Sequence, residues 1–143
     1  MRRTRAWSQI VMGLVLCLCL GACTNRQEQW LESAIMEKRL ARDIADYTAA
    51  INANGQDAEA YYGRGTACTY RGEYDRAIDD YTKALEIKPQ FAMAYGGRGR
   101  AYFEQEKWAE ARSDLEKAVE LDPKGWAREY AQTGLDRLTQ EGH

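Results

Sequence analysis

The stretch "AYGGRGRAY", Ala94 to Tyr102, sets three glycines among two arginines, residue types that suit two chemistries. A glycine-rich loop lets backbone N–H groups cradle a phosphate, and an arginine–glycine patch can hold nucleic acid. A phosphate loop needs a strand before it and a helix N-terminus facing the phosphate. Here the glycines fall inside a predicted helix and no strand is predicted. Other candidate chemistry is sparse. The only histidine is His143, the last residue, so the usual His/Cys metal spacing is missing and neither Ser–His nor Cys–His catalysis has its base. Carboxylate pairs occur on predicted helix faces that also carry lysine and arginine, which reads as solvated surface. The sequence predicts no metal, no cofactor and no enzymatic activity.

The elements that position these residues begin with an export signal. All charge in residues 1–22 is basic (Arg2, Arg3, Arg5), and the apolar run "IVMGLVLCLCLGA" follows from Ile10 to Ala22. A basic start, a short apolar core and small residues before a boundary mark a secretory signal, and a membrane span wants roughly 20 apolar residues. "LGAC", Leu20 to Cys23, resembles the lipobox of bacterial lipoprotein precursors. That resemblance implies acylation of Cys23, cleavage before it, and a membrane anchor on a short tether, residues 23–29. Thr24, rather than the Asp of the inner-membrane retention signal, points to an outer-membrane address in a host with two membranes. The alternatives are an ordinary secretory signal or an uncleaved anchor.

Removal of residues 1–22 leaves 17 basic residues against 22 acidic. A net acidic chain gives no electrostatic footprint for nucleic acid. Of four cysteines, two leave with the signal and Cys23 is lipidated, so Cys68 has no intrachain partner and reads as a small buried apolar residue.

Shifted by 34 residues, "AYGGRGRAY" falls on "AYYGRGTAC", and the windows 58–91 and 92–125 agree at 13 of 34 positions. The two prolines, Pro89 and Pro123, share the spacing. The pattern resembles the tetratricopeptide repeat, whose unit is an antiparallel helix pair. Its aromatic 4, Gly 8, Ala 20, bulky 24, Ala 27 and Pro 32 correspond to Tyr61, Gly65, Ala77, Tyr81, Ala84 and Pro89 in the first unit. In the second they are Tyr95, Gly99, Ala111, Leu115, Ala118 and Pro123. The resemblance implies an all-α fold, a short right-handed solenoid over residues 30–143.

"RDIADYTAAINANG", Arg42 to Gly55, echoes Arg76 to Pro89, with Tyr47 and Ala50 in place of Tyr81 and Ala84. Residues 24–57 therefore read as a degenerate first unit, its first helix near Glu28–Lys38 with Trp30, Leu31, Ala34 and Ile35 on one face. Downstream, Ala127, Ala131, Gly134 and Leu138 form a helical stripe. A capping helix over 126–140 is expected, as repeat arrays require.

Within this register Gly65 and Gly99 are explained by close helix crossing, whereas Gly63, Gly96 and Gly97 have no such explanation. Gly96 either leaves room for a ligand or weakens its helix. Arg64 and Arg98 recur at position 7, and Asp46, Asp80 and Asp114 at position 23. They read as pairs between helices, worth little where exposed, with the partner in the same unit or the preceding one.

The resemblance also implies a concave surface lined by first helices, with contacts from positions 2, 5, 9, 12 and 13. These are Glu59, Tyr62, Thr66, Thr69 and Tyr70 in one unit, and Met93, Gly96, Arg100, Phe103 and Glu104 in the next. Aromatics with one positive charge suit a peptide segment of a partner protein. The family's carboxylate-clamp subclass wants Lys at 5 and Asn at 9, which speaks against a chaperone C-terminal tail. The expected function is a lipid-anchored adaptor or assembly factor of the bacterial envelope. A structural oligomer built through Trp126 and Tyr130, or a regulatory subunit of an envelope enzyme, stays open.

Overall fold

The computed structural model describes residues 4–142, with side chains from Glu28 onward. The residues expected to form an export signal, and Cys23, fall outside the described side chains. Among the described residues there is no strand, and the elements are α1 (Thr4–Ala53), α2 (Ala58–Tyr70), α3 (Tyr74–Ile87), α4 (Ala92–Glu104), α5 (Trp108–Leu121) and α6 (Trp126–Gln140). The chain divides into a unit ending at Lys38 and a second unit beginning at Arg39. Among the described residues no helix is long and apolar enough to cross a membrane.

The helix pair expected over 24–57 is not formed. Residues 28–53 are helical throughout, and Trp30, Leu31, Ile35 and Met36 of the anticipated first helix are exposed. The reason is local: "EKRLARD" between the two anticipated helices holds only residues compatible with a helix and no glycine, proline or asparagine to turn the chain. The working corners have a residue in the left-handed region, Gly72 at φ 76° between α2 and α3 and Glu106 at φ 59° between α4 and α5. Only Arg39–Ala53 takes part in the second unit.

There α2 packs on α3, α3 on α4, α4 on α5 and α5 on α6, while α2 meets α4 and α4 meets α6. The first helices of successive units are thus neighbours along one face. Pro89 and Pro123 follow the ends of α3 and α5, which they cannot prolong. The α2 N-terminus is capped by Asp57, whose side chain accepts from the Ala60 N–H at 3.0 Å.

Small residues let the helices approach closely. Ala77, Ala84, Ala111 and Ala118 are fully buried, and Tyr81 and Leu115 fill the space between them. A Cβ added at Gly65 would lie 3.1 Å from the Tyr81 ring, and one at Gly99 2.9 Å from Leu115. The two unexplained glycines at position 6 have the same cause from the neighbouring unit. A Cβ at Gly97 would lie 2.6 Å from Tyr81, and one at Gly63 would collide with the Tyr47 ring. The Tyr81 ring thus wedges between glycine 8 of its own unit and glycine 6 of the next, and Tyr47 occupies the space that Gly63 leaves.

The arginine–aspartate register is also resolved, within each unit rather than with the preceding one. Arg64 donates to both carboxylate oxygens of Asp80 (2.9 and 2.6 Å), and Arg98 does the same to Asp114 (2.7 and 2.9 Å). Both aspartates are buried. The third donor of each fork crosses to the preceding unit, reaching Thr48 at 3.3 Å and Thr82 at 3.1 Å. Bidentate forks use the fixed geometry of guanidinium, so one arginine both closes its own helix pair and fastens it to the last. Trp30 holds position 7 of the first window, and Asp46 is exposed.

Candidate functional site

The neighbouring first helices enclose two adjoining cavities that share Arg100 and Tyr130. One, of about 220 Å³, is walled by Tyr62, Thr66, Thr69 and Tyr70 of α2, Met93, Gly96 and Arg100 of α4, and Trp126 and Tyr130 of α6, with Tyr81 below. The other, of about 250 Å³, lies between α4 and α6 against Phe103, Leu115, Thr133, Gly134 and Arg137. No carboxylate lines either cavity.

The floor of the first cavity is polar in a controlled way. The Tyr81 hydroxyl donates to Thr66 Oγ1 at 3.3 Å and stands 3.2 Å from Thr69 Oγ1. Both threonines donate their own protons to backbone carbonyls one turn earlier, Tyr62 and Gly65. Burial pushes the Tyr81 phenol up to about 12, so it stays protonated as a donor. Tyr62 rests against Tyr81 and Phe91, with ring centroids 5.9 and 5.1 Å away, and burial raises its phenol as well.

Arg100 stands at the junction. Its guanidinium lies 5.9 Å from the Tyr70 ring centroid and donates a long hydrogen bond, 3.5 Å, to Tyr130 Oη, which holds its pKa above the ordinary value. The side chain is exposed, so the charge is presented to solvent.

Gly96 neither leaves a vacancy nor merely weakens its helix. A Cβ there would lie 3.2 Å from Tyr130 Cδ1, so the glycine admits the α6 ring into the wall. Tyr130 thus takes the role that Tyr62 plays in the preceding unit. The N-terminus of α6 is held by Asp122, whose carboxylate accepts from Gly125 N–H at 2.8 Å and Ala127 N–H at 3.2 Å.

Of the expected groove residues, Tyr62, Thr66, Thr69, Tyr70, Met93, Gly96 and Arg100 come together. Three do not behave as expected. Phe103 is 8% exposed, packed edge-on against Trp108 and covered by the Arg137 guanidinium at 4.4 Å, because α6 closes over it. It belongs mainly to the core. Glu59 is turned to an exposed ion pair with Lys88 at 2.8 Å, and Glu104 is exposed; neither lines a cavity. Cys68 is fully buried and its thiol pKa is raised by that burial, as suits an unreactive packing residue.

Expected as a cap or a subunit contact, α6 forms a wall of both cavities. The signal was present. Continued past residue 125, the 34-residue register puts Ala127, Tyr130, Gly134 and Arg137 at positions 2, 5, 9 and 12, and all four line the cavities.

Residues 58–91 and 92–124 each match the family model described as tetratricopeptide repeat. Among solved structures, the Arabidopsis OM64 TPR domain is 30% identical, with 76% of this chain and 88% of that one aligned at a TM-score of 0.68. The second TPR domain of human RPAP3, in complex with the HSP70 peptide SGPTIEEVD, is 29% identical over 72% of this chain and 83% of that one, at 0.66. The TPR2B domain of yeast Sti1, in a complex with pHsp70, shares the fold at 23% identity over 77% of this chain and 90% of that one, at 0.69. No curated protein matches the chain.

Proposed function

The chain belongs to the tetratricopeptide repeat family, and we propose that it is a lipid-anchored adaptor or assembly factor of the bacterial cell envelope that holds a peptide segment of another protein against α2, α4 and α6. The carrying observation is the cleft itself: aromatic walls, an exposed guanidinium and no opposing carboxylate, a mixture that suits an extended peptide. Relatives of the same fold hold peptides of partner proteins. Their HSP70 peptides do not transfer. At positions 5 and 9 this chain has Tyr62 with Thr66 and Gly96 with Arg100, where the clamp wants Lys and Asn.

The anchor rests on the basic start, the apolar run and "LGAC". One acyl chain holds only marginally, at ~0.8 kcal/mol per buried CH₂, and the several added in lipoprotein processing make the attachment stable. Fatty-acid labelling tests this part: the wild type takes up label and Cys23→Ser does not, and equal labelling would remove the anchor from the account. Capture of a partner from solubilised envelope membranes tests the rest, with Tyr62→Ala/Arg100→Ala expected to lose it by roughly tenfold or more.

One observation favours an oligomeric role instead. Trp126 is 55% exposed beside Tyr130, with ring centroids 6.1 Å apart. Sedimentation of the soluble domain separates the readings, since a monomer leaves Trp126 for the partner and a stable dimer assigns it to a subunit contact.

A further inference from the structure

We propose that residues 28–38 of α1 form an interfacial helix that lies along the membrane, with Trp30, Leu31, Ala34 and Ile35 among the lipid headgroups and upper acyl chains. This rests on the Cys23 anchor, and the occupant of the face is a lipid surface.

At 3.6 residues per turn these four side chains fall within one arc of about 140°. All four are exposed, Trp30 at 72%. Lys38 falls in the same arc, and its stem can lie along lipid while the ammonium reaches water. Gln29, Glu32 and Ser33 stand on the other side, where Ser33 Oγ donates to the Gln29 carbonyl at 2.9 Å.

The face is not reserved for completing a first repeat. In the units that pair, glycine at position 8 meets alanine at position 20. A Cβ on Gly65 would lie 3.2 Å from the Ala77 carbonyl oxygen, and one on Gly99 3.2 Å from that of Ala111. The same positions of the first window hold Leu31 and Asp43. A leucine at that crossing would strike backbone, and closing it would bury the Asp43 carboxylate.

The tether supplies the occupant. Seven residues separate Cys23 from Trp30, which is ~10 Å along a helix and at most ~25 Å fully extended. An acylated Cys23 therefore holds the stripe beside the headgroups at a high effective concentration. Tryptophan is enriched in that layer. Charge plays little part, because residues 23–39 carry three basic and three acidic side chains. Residues 40–143 carry 14 and 19, so an anionic leaflet repels the repeats and not this segment.

The test is a nitroxide scan of the full-length protein, expressed with its own signal and returned to vesicles of phosphatidylethanolamine and phosphatidylglycerol. Single cysteines replace residues 28–38 in turn. Cys23 carries the lipid and Cys68 is fully buried, so the introduced thiol takes the label. Collisions with oxygen, which partitions into lipid, and with a water-soluble nickel chelate should alternate with a period of about 3.6 residues. The oxygen-to-nickel ratio should be severalfold higher at Trp30, Leu31, Ala34 and Ile35 than at Gln29, Glu32 and Ser33. Met36, exposed but off the arc, should read as water-facing. Leu31→Glu with Ile35→Glu should abolish the contrast between positions 30 and 29.

Nickel access on every side overturns the proposal. So does an oxygen signal that rises toward residue 28 without a period, the mark of a helix entering the bilayer end-on. Spin–spin broadening at 31 and 35 with both reagents excluded overturns it too, by assigning the face to a second copy. Intact mass of the same samples reports acylation, so a lipidated protein without the periodic signal loses the interfacial helix and keeps its anchor. An unacylated mass removes the anchor, and the scan repeated on Cys23→Ser then decides the helix by the same period.

Discussion

The units 58–91 and 92–125 share a backbone plan but differ at the positions that face the cleft. In the first, position 24 is Tyr81, whose ring packs under Gly97 while its hydroxyl supplies the cavity floor between Thr66 and Thr69. In the second it is Leu115, which packs beneath Gly99 and Gly134 and gives the adjoining cavity an apolar wall. At position 5 the first unit has its own ring, Tyr62, whereas the second has Gly96 and borrows Tyr130 from α6. At position 9 a threonine gives way to Arg100. The first unit therefore contributes shape and neutral hydroxyl groups, and the second contributes charge and a seat for the last helix.

The largest expected effect comes from removing the wedges. Tyr81→Ala should cost ~4 kcal/mol and Leu115→Ala ~3 kcal/mol, severe for an array near the minimum number of repeats. Chemical denaturation checks both. The comparison breaks if either is tolerated with an unchanged midpoint.

Alkali separates the two wedges without large changes of volume. Tyr81 is neutral in the fold and its pKa is raised from 10.0 to about 12. The unfolded phenol ionises first, so stability is intact below pH 10 and declines as pH rises toward 12, by ~3 kcal/mol from this group. Tyr81→Phe should flatten that part of the pH–stability curve, and a curve as steep as the wild type's would contradict the burial argument.

The shared element should respond alike in both units. Arg64→Ala and Arg98→Ala each strand a buried aspartate and should cost ~2 kcal/mol, below the range for fully enclosed pairs because the arginines are partly solvated. A loss confined to one variant would show that the repeat register is not energetically symmetric.

The smallest effect concerns the corners. Glu106 occupies the left-handed conformation that Gly72 adopts at the same position of the preceding unit. Glu106→Gly should therefore stabilise by up to ~1 kcal/mol, and Gly72→Glu should destabilise by a similar amount, read as opposite shifts in melting temperature.

The helix pairs, their proline stops and the last helix were legible because 34-residue spacing fixes small and bulky residues together. Tyr81, Ala84, Leu115 and Ala118 behave as their register implies. The course of residues 28–53 was not legible, since matching Tyr47 and Ala50 says nothing about whether Lys38–Arg42 can turn. The depth of the arginine–aspartate pairs was also hidden, because burial depends on three helices meeting and one sequence position sees only its own. The role of α6 was readable in principle, by carrying the register past Gly125. Its alanine–glycine stripe concealed this, as a stripe reports the packed face and not the one turned to the cleft.

The most direct test is site-specific photocrosslinking in intact cells, with a benzophenone amino acid placed singly at Tyr62, at Tyr130 or at Glu116, an exposed α5 position that lines neither cavity. The account predicts one common partner adduct from positions 62 and 130 and none from 116. An adduct from 116 with nothing from 62 or 130 would contradict it.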